Sequence, residues 1–263
     1  MINLRLAASL EAFPQPLKQA LVAVAGCGVS GVTIDARNRL KPSELSDSGC
    51  RQLQHRLDEL GLAMAAIEFR TRGGLAEPDR LDERITAAYR VLEFARRLRA
   101  DVVTFRLGRV PADVESEEYR LLVEVLNDLA RHGNHVGTVP AIDAGAVPPE
   151  ALAALVEAVV AGPLAVDFDP APLVADGIDP TAAFGTLHEQ IGHLRVRDAV
   201  READGRLREV VLGRGEVAWD ELLAVIDESG YRGWLTIDRH DGSDRAGDIA
   251  RAAAWIQAVV VGP

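Results

Sequence analysis

Ionisable side chains recur where short apolar runs of this chain end. Asp35 and Arg37, Glu68 and Arg70, and Arg106 and Arg109 follow three such runs, and Asp143 then Asp167 and Asp169 follow two more. His193, Arg195, Arg197 and Asp198 lie along another run, and Asp238 and His240 close the last. Carboxylates and imidazoles brought together serve metal ligation or general acid–base chemistry. Guanidinium groups serve the recognition of phosphate or carboxylate. Taken singly, a charged residue where a strand meets its loop is more often solvated than chemical. Acids or bases on four successive runs, from Asp143 to His240, form a more specific signal. For Arg70, Arg106, Arg109 and Arg197, surface salt-bridging stands as the even alternative.

The elements that must position these residues alternate from end to end. Strands are expected at 2–7, 31–35, 62–69, 101–106, 136–142, 164–168, 191–197 and 234–238. Helices are expected at 16–27, 46–60, 80–99, 117–131, 149–160, 180–190, 218–229 and 245–260. The helical spacing of Leu81, Ile85, Ala88, Leu92, Ala95 and Leu98 and the β-branched run DVVTFR show the two periodicities side by side. Eight strand–helix pairs demand parallel strands with helical crossovers, and eight units close into a (β/α)8 barrel whose chemistry gathers at the C-terminal strand ends. No GxGxxG follows the first strand, which counts against a dinucleotide-binding sheet. No composition break of domain size interrupts residues 1–263, which read as one domain. Trp219 and Trp234 are expected to pack the seventh helix against the eighth strand.

Composition narrows the partners. The chain has 263 residues, with 29 Lys and Arg against 40 Asp and Glu and a formal net charge of −11, so it should repel a nucleic-acid backbone. The two cysteines, Cys27 and Cys50, form no CxxC pair and read as buried free thiols. The start, MINLRLAASL, lacks the marks of a signal peptide, and no apolar run is long enough to span a bilayer. A cytoplasmic protein acting on a small molecule is the expectation, with no nucleic acid or membrane partner and an oligomer left open.

Four segments carry a family likeness: VDFDPAPLVADGIDP (166–180), HLRVRDA (193–199), LGRGEVAWDELL (212–223) and YRGWLTIDR (231–239). GVSGVTIDAR (28–37) and the Leu60–Gly61–Leu62 boundary fit the same pattern upstream. Together they resemble the sugar phosphate isomerase/epimerase, or xylose isomerase-like TIM barrel, family. The resemblance implies one divalent metal (Mn, Mg, Co or Zn) held by Glu, Asp, His and Glu from strands five to eight. It also implies proton transfer on a ketose or related polyol through an enediolate, with two acidic residues as acid and base.

Carried over residue by residue, the first Glu falls on Asp143, the Asp on Asp169, the His on Arg195 and the closing Glu on Asp238. Asp143 and Asp238 are then the catalytic candidates and Asp143, Asp169 and Asp238 the metal candidates. His193 is a substitute ligand or else a packed histidine. Arg70, Arg106, Arg195 and Arg197 are the substrate-binding candidates for a sugar-like or anionic molecule. Each Glu-to-Asp exchange removes about 1.5 Å of reach against metal–oxygen bonds of about 2.0–2.2 Å. Arg195 departs further, because a guanidinium has no lone pair and repels a cation. Two readings follow: an isomerase or epimerase with an altered metal site, or a catalytically silent barrel binding a metabolite or partner. In the second, Arg195 replaces the metal among Asp143, Asp169 and Asp238. A third, phosphodiester hydrolysis on several metals, ranks last because His55, His132, His135 and His188 fall in or beside helices.

Overall fold

Side chains at the helix starts meet backbone N–H groups that no helical carbonyl can reach. Ser46 Oγ accepts from Gly49 N and Ser116 Oγ from Tyr119 N, both at 3.2 Å, and Asp179 Oδ1 accepts from Thr181 N at 3.0 Å. Each such cap contributes about 1 kcal/mol to its helix. The computed structural model describes residues 4–71 and 73–261. Its strands are β1 (Arg5–Ser9), β2 (Gly31–Asp35), β3 (Ala63–Phe69), β4 (Val102–Arg106), β5 (Val139–Asp143), β6 (Ala165–Phe168), β7 (Ile191–Val196), β8 (Asp198–Arg201), β9 (Leu207–Val210) and β10 (Trp234–Ile237). Its α-helices are α1 (Leu17–Ala25), α2 (Asp47–Glu59), α3 (Leu81–Arg97), α4 (Glu117–Val136), α5 (Pro149–Glu157), α6 (Pro170–Ala175), α7 (Pro180–Leu187), α8 (Trp219–Glu228) and α9 (Arg245–Val261).

Strands β1 to β7 and β10 close into one parallel barrel, with β10 between β7 and β1. This is the expected (β/α)8 architecture. Outward strand residues such as Val32, Ile34, Val103, Phe105, Leu194 and Leu235 join the helices in one apolar layer. The alternate, inward residues are of another kind. A small cluster of Ala7, Ala65 and Trp234 fills the N-terminal end, and Thr33, Thr236, His193, Asp167, Thr104, Glu68 and Arg195 rise above it, all buried. Trp234 therefore plugs the barrel and does not pack a helix as expected. Its ring occupies space that a side chain on Gly31 would need, since a Cβ there would lie 2.5 Å from the ring. The Arg5 guanidinium caps the same ring at 4.0 Å. Trp219 starts α8 and donates its indole N–H to the carbonyl of Arg197 at 3.2 Å.

The expected strands and helices are present, with shifted ends and, besides short 3₁₀ helices at Leu10–Ala12 and Pro42–Glu44, two additions. β1 spans Arg5–Ser9, residues 2 and 3 of the expected first strand lying outside the described residues, and α4 continues to Val136, so β5 starts at Val139. α6 is an extra turn of helix begun by Asp169 and Pro170. The second addition is the antiparallel hairpin β8–β9, inserted between β7 and α8. Cys27 and Cys50 are free and buried, as expected. No helix among the described residues is long and apolar enough to cross a membrane.

Candidate active site

Arg195 points inward from β7, and its residue is 2% exposed. A guanidinium carries five N–H donors, and here each has a protein acceptor. Nε donates to Asp167 Oδ2 at 2.8 Å, and Nη2 donates to the same oxygen at 2.7 Å and to Thr104 Oγ1 at 3.2 Å. Nη1 donates to Glu68 Oε1 at 2.9 Å and to Asp238 Oδ2 at 3.3 Å. Strands β3, β4, β6, β7 and the end of β10 thus meet at one cation. Burial alone would favour the neutral guanidine, but Asp167, Glu68 and Asp238 outweigh it and hold Arg195 charged. The reciprocal effect acts on the acids. Burial would raise Asp167, yet Arg195 and His193 bring it down to about 2. Asp238 is likewise held well below the carboxylate range, burial being outweighed by His240, Arg195 and Arg70.

Below this centre His193 is wholly buried, with Nδ1 2.7 Å from Asp167 Oδ1 and Nε2 2.8 Å from Thr236 Oγ1. Thr236 Oγ1 lies 2.9 Å from Thr33 Oγ1. A ring with its proton on Nδ1 satisfies the whole row, Thr33 donating to Thr236 and Thr236 to Nε2. Both ring nitrogens are therefore engaged. Above the centre, Arg70 brackets two of the acids, with Nε 3.0 Å from Glu68 Oε2 and Nη2 3.3 Å from Asp238 Oδ2. His240 Nε2 lies 3.0 Å from Asp238 Oδ2. That contact leads in raising the imidazole above its usual range, against burial and the charges of Arg70 and Arg197.

The other candidate residues stand apart from Arg195. Asp169 caps α6, its Oδ1 accepting from Ala171 N at 3.1 Å, while its Oδ2 pairs with Arg197 Nη1 at 2.6 Å. Asp143 is half-buried at the end of β5, with Oδ1 accepting from Gly145 N at 3.0 Å. Burial raises its carboxyl, Arg195 notwithstanding. So the carboxylates around Arg195 are Glu68, Asp167 and Asp238, where the sequence suggested Asp143, Asp169 and Asp238. A cleft of about 590 Å³ opens above, with Arg70, Arg106, Asp143, Asp169, Arg195 and Arg197 in its walls. Arg106 is exposed, and among the described residues no carboxylate lies within ion-pair distance of it.

Thr104, Thr236, Arg239 and Glu209 were absent from the sequence reading. Glu209 reaches from β9 to the mouth, where Oε1 accepts from Arg239 Nη1 at 2.7 Å and from His240 N at 2.9 Å. Its Oε2 lies 3.4 Å from Arg197 Nη2. Asp169 leads in holding the Arg197 proton well above the usual range, and Glu209 adds to it. The hairpin itself is fixed by Asp198, whose carboxylate accepts from Gly213 N and Gly215 N at 2.9 Å and from Val217 N at 3.3 Å. A Cβ on Gly215 would collide with that carboxylate. The HLRVRDA and LGRGEVAW segments are one clasp, with acid in the first and amides in the second.

Against this geometry the sequence pattern of known families can be placed. That of the xylose isomerase-like TIM barrel matches residues 21–259. The chain belongs to this family. Among solved xylose isomerase-like barrels, a xylose isomerase domain protein from Planctomyces limnophilus superposes with a TM-score of 0.85 at 22% identity, covering 98% of each chain. A Mycobacterium smegmatis barrel in complex with magnesium gives a TM-score of 0.78 at 19% identity, covering 98% of this chain and 97% of that one. A D-tagatose 3-epimerase-like protein gives 0.77 at 16% identity, covering 98% of this chain and all of the other (100%). At these identities the likeness is one of fold. No curated protein sequence matches the chain.

Family membership raises the question of a divalent ion, and the donor set answers it poorly. Glu68, Asp167 and Asp238 are turned onto a guanidinium, Asp169 onto a helix start and Arg197, and His193 has no free nitrogen. Among the described residues, no three His, Cys, Asp or Glu side chains are grouped so as to hold a metal ion. The residues present do not fit the family's metal.

Proposed function

We propose that this xylose isomerase-like barrel binds a small anionic, sugar-like molecule at its C-terminal mouth without a divalent metal, Arg195 serving as the fixed cation of the floor. The complete use of the Arg195 N–H groups by Glu68, Asp167, Asp238 and Thr104 carries this reading. A cation so enclosed organises the floor and leaves ligand contact to the groups above it. Arg106, Arg197 and the outer face of Arg70 meet the anionic group, and Asp143 and Asp169 accept from hydroxyls. Elemental analysis after incubation with Mn, Mg, Co or Zn, paired with calorimetric titration of sugar acids and sugar phosphates in a chelator, tests it. Binding in the chelator supports it, and one tightly held equivalent of metal, lost in Asp169→Ala, overturns it.

A second reading, proton transfer of the isomerase or epimerase kind, draws support from the contrast between Asp143 and Asp238. Two carboxyls pushed apart in proton affinity mark acid–base pairs in many active sites. Here Asp143 is raised and keeps one oxygen clear of backbone donors, whereas Asp238 is locked in the ionised form. Asp143 would take a proton from the carbon beside a carbonyl and return it, with the enediolate charge facing arginines. Deuterium uptake from heavy water into a bound keto sugar, abolished in Asp143→Asn, is its signature.

A further inference from the structure

The mouth does not end at its arginines. A second cleft of about 510 Å³ lies between the loops after β3 and β4 and shares Gly74, Glu77 and Arg109 with the first. Most of its accessible wall is apolar, from Ala76, Pro78, Pro111 and Ala112 over the buried Leu107 and Leu122, and Glu77, Asp113, Ser116 and Glu118 complete the lining. The two loops are stitched where Leu75 N donates to Leu107 O at 3.0 Å, beside Gly74 and Gly108. A Cβ on Gly74 would lie 2.7 Å from Leu107 O, so only glycine permits the approach that joins the compartments. Arg109 is exposed at this junction, and among the described residues it too has no carboxylate within ion-pair distance. Cationic groups on one side and an apolar wall on the other, with an arginine between them, match a molecule of two parts.

We infer that the ligand is an organic anion bearing an apolar substituent, its charged end among Arg106, Arg109 and Arg197 and its ring or alkyl group against Ala76, Pro111 and Ala112. This rests on the anion-binding reading of the mouth and adds the second compartment to it. A sugar phosphate without such a group would leave the second compartment to water.

Calorimetric titration of the full chain with inorganic phosphate and with phenyl phosphate tests it. Phenyl phosphate should bind at least ten-fold more tightly. Ala76→Phe, which fills the apolar compartment, should erase that advantage while moving phosphate affinity less than two-fold. Ala112→Phe, on an exposed part of the wall, repeats the test should the first variant fail to fold. Equal affinities for the two probes, or an advantage that survives both fillings, overturn the inference and leave the anion site standing. Failure of inorganic phosphate and phenyl phosphate alike removes the anion site, and the inference with it.

Discussion

Replacing Arg195 with methionine keeps the volume and removes the charge, leaving Glu68, Asp167 and Asp238 facing one another in the barrel. Breaking a buried ion pair from one side costs about 3–5 kcal/mol, because the abandoned charge keeps its desolvation cost. The urea midpoint of Arg195→Met should fall accordingly at neutral pH. The sign of its pH dependence follows from the acids. Asp167 is depressed from 3.8 to about 2, so its contribution is present above 3.8 and lost as the pH falls through about 2. The gap between wild type and variant should therefore be widest near neutrality and close below pH 4; a gap constant with pH would contradict this account. His240 runs the other way. Raised above 6.5 chiefly by its close contact with the Asp238 carboxylate, it stabilises the fold below that value and ceases to as the pH rises through its own. Thermal midpoints of His240→Gln should lack the alkaline decline of the wild type; an unchanged profile would remove His240 from the ion cluster. The sequence marked Arg195 as the departure in the site, yet gave it partners from aligned positions. Glu68 and Asp167 were visible at strand ends, and Asp167 shares inward parity with Asp169. The family resemblance assigned Asp169 to a metal, whereas its Asp-Pro pair already signals the helix cap that the structure shows.

At the scale of elements, the hairpin β8–β9 shows how a functional group can hide from pattern reading. Its strands are short, half-exposed and rich in charge, so neither alternation nor hydrophobicity stands out. The Asp204–Gly205 pair, with Gly205 at φ 81°, is a turn signal that sequence alone offered. By contrast the eight barrel strands were legible because each is buried on both sides and reads as a short apolar run. The Asp198 clasp holds the hairpin's return, and through it Glu209 steadies Arg197 and the backbone at His240. Asp198→Ala should release that loop without melting the barrel. Tryptic cleavage after Arg208 and Arg214 should accelerate roughly ten-fold or more, as expected when a segment opens locally. Unchanged cleavage would show that the strand pairing alone holds the hairpin.

For the whole molecule, the plug and the charge centre set how it comes apart. Trp234 sits inside the barrel with Ala7 and Ala65, and the partners of Arg195 come from β3, β4, β6 and the end of β10. Neither interior can persist in part of the barrel. Loss of tryptophan fluorescence and of far-ultraviolet ellipticity in urea should coincide in one transition. A helical signal that outlasts the buried tryptophan would point to a stable half-barrel.

The spread of those partners along the chain also governs how the protein is made. Glu68 precedes Arg195 by 127 residues, Thr104 by 91 and Asp167 by 28, whereas Asp238 follows it by 43. On a ribosome the acceptors Glu68, Thr104 and Asp167 emerge before the cation and Asp238 after it. Until then the early carboxylates remain hydrated, and they resist burial in any premature compact form. Closure of the barrel waits on the last strand, which brings the plug and the final acid together. A nascent chain stalled before β10 would stay open to chaperones and proteases alike.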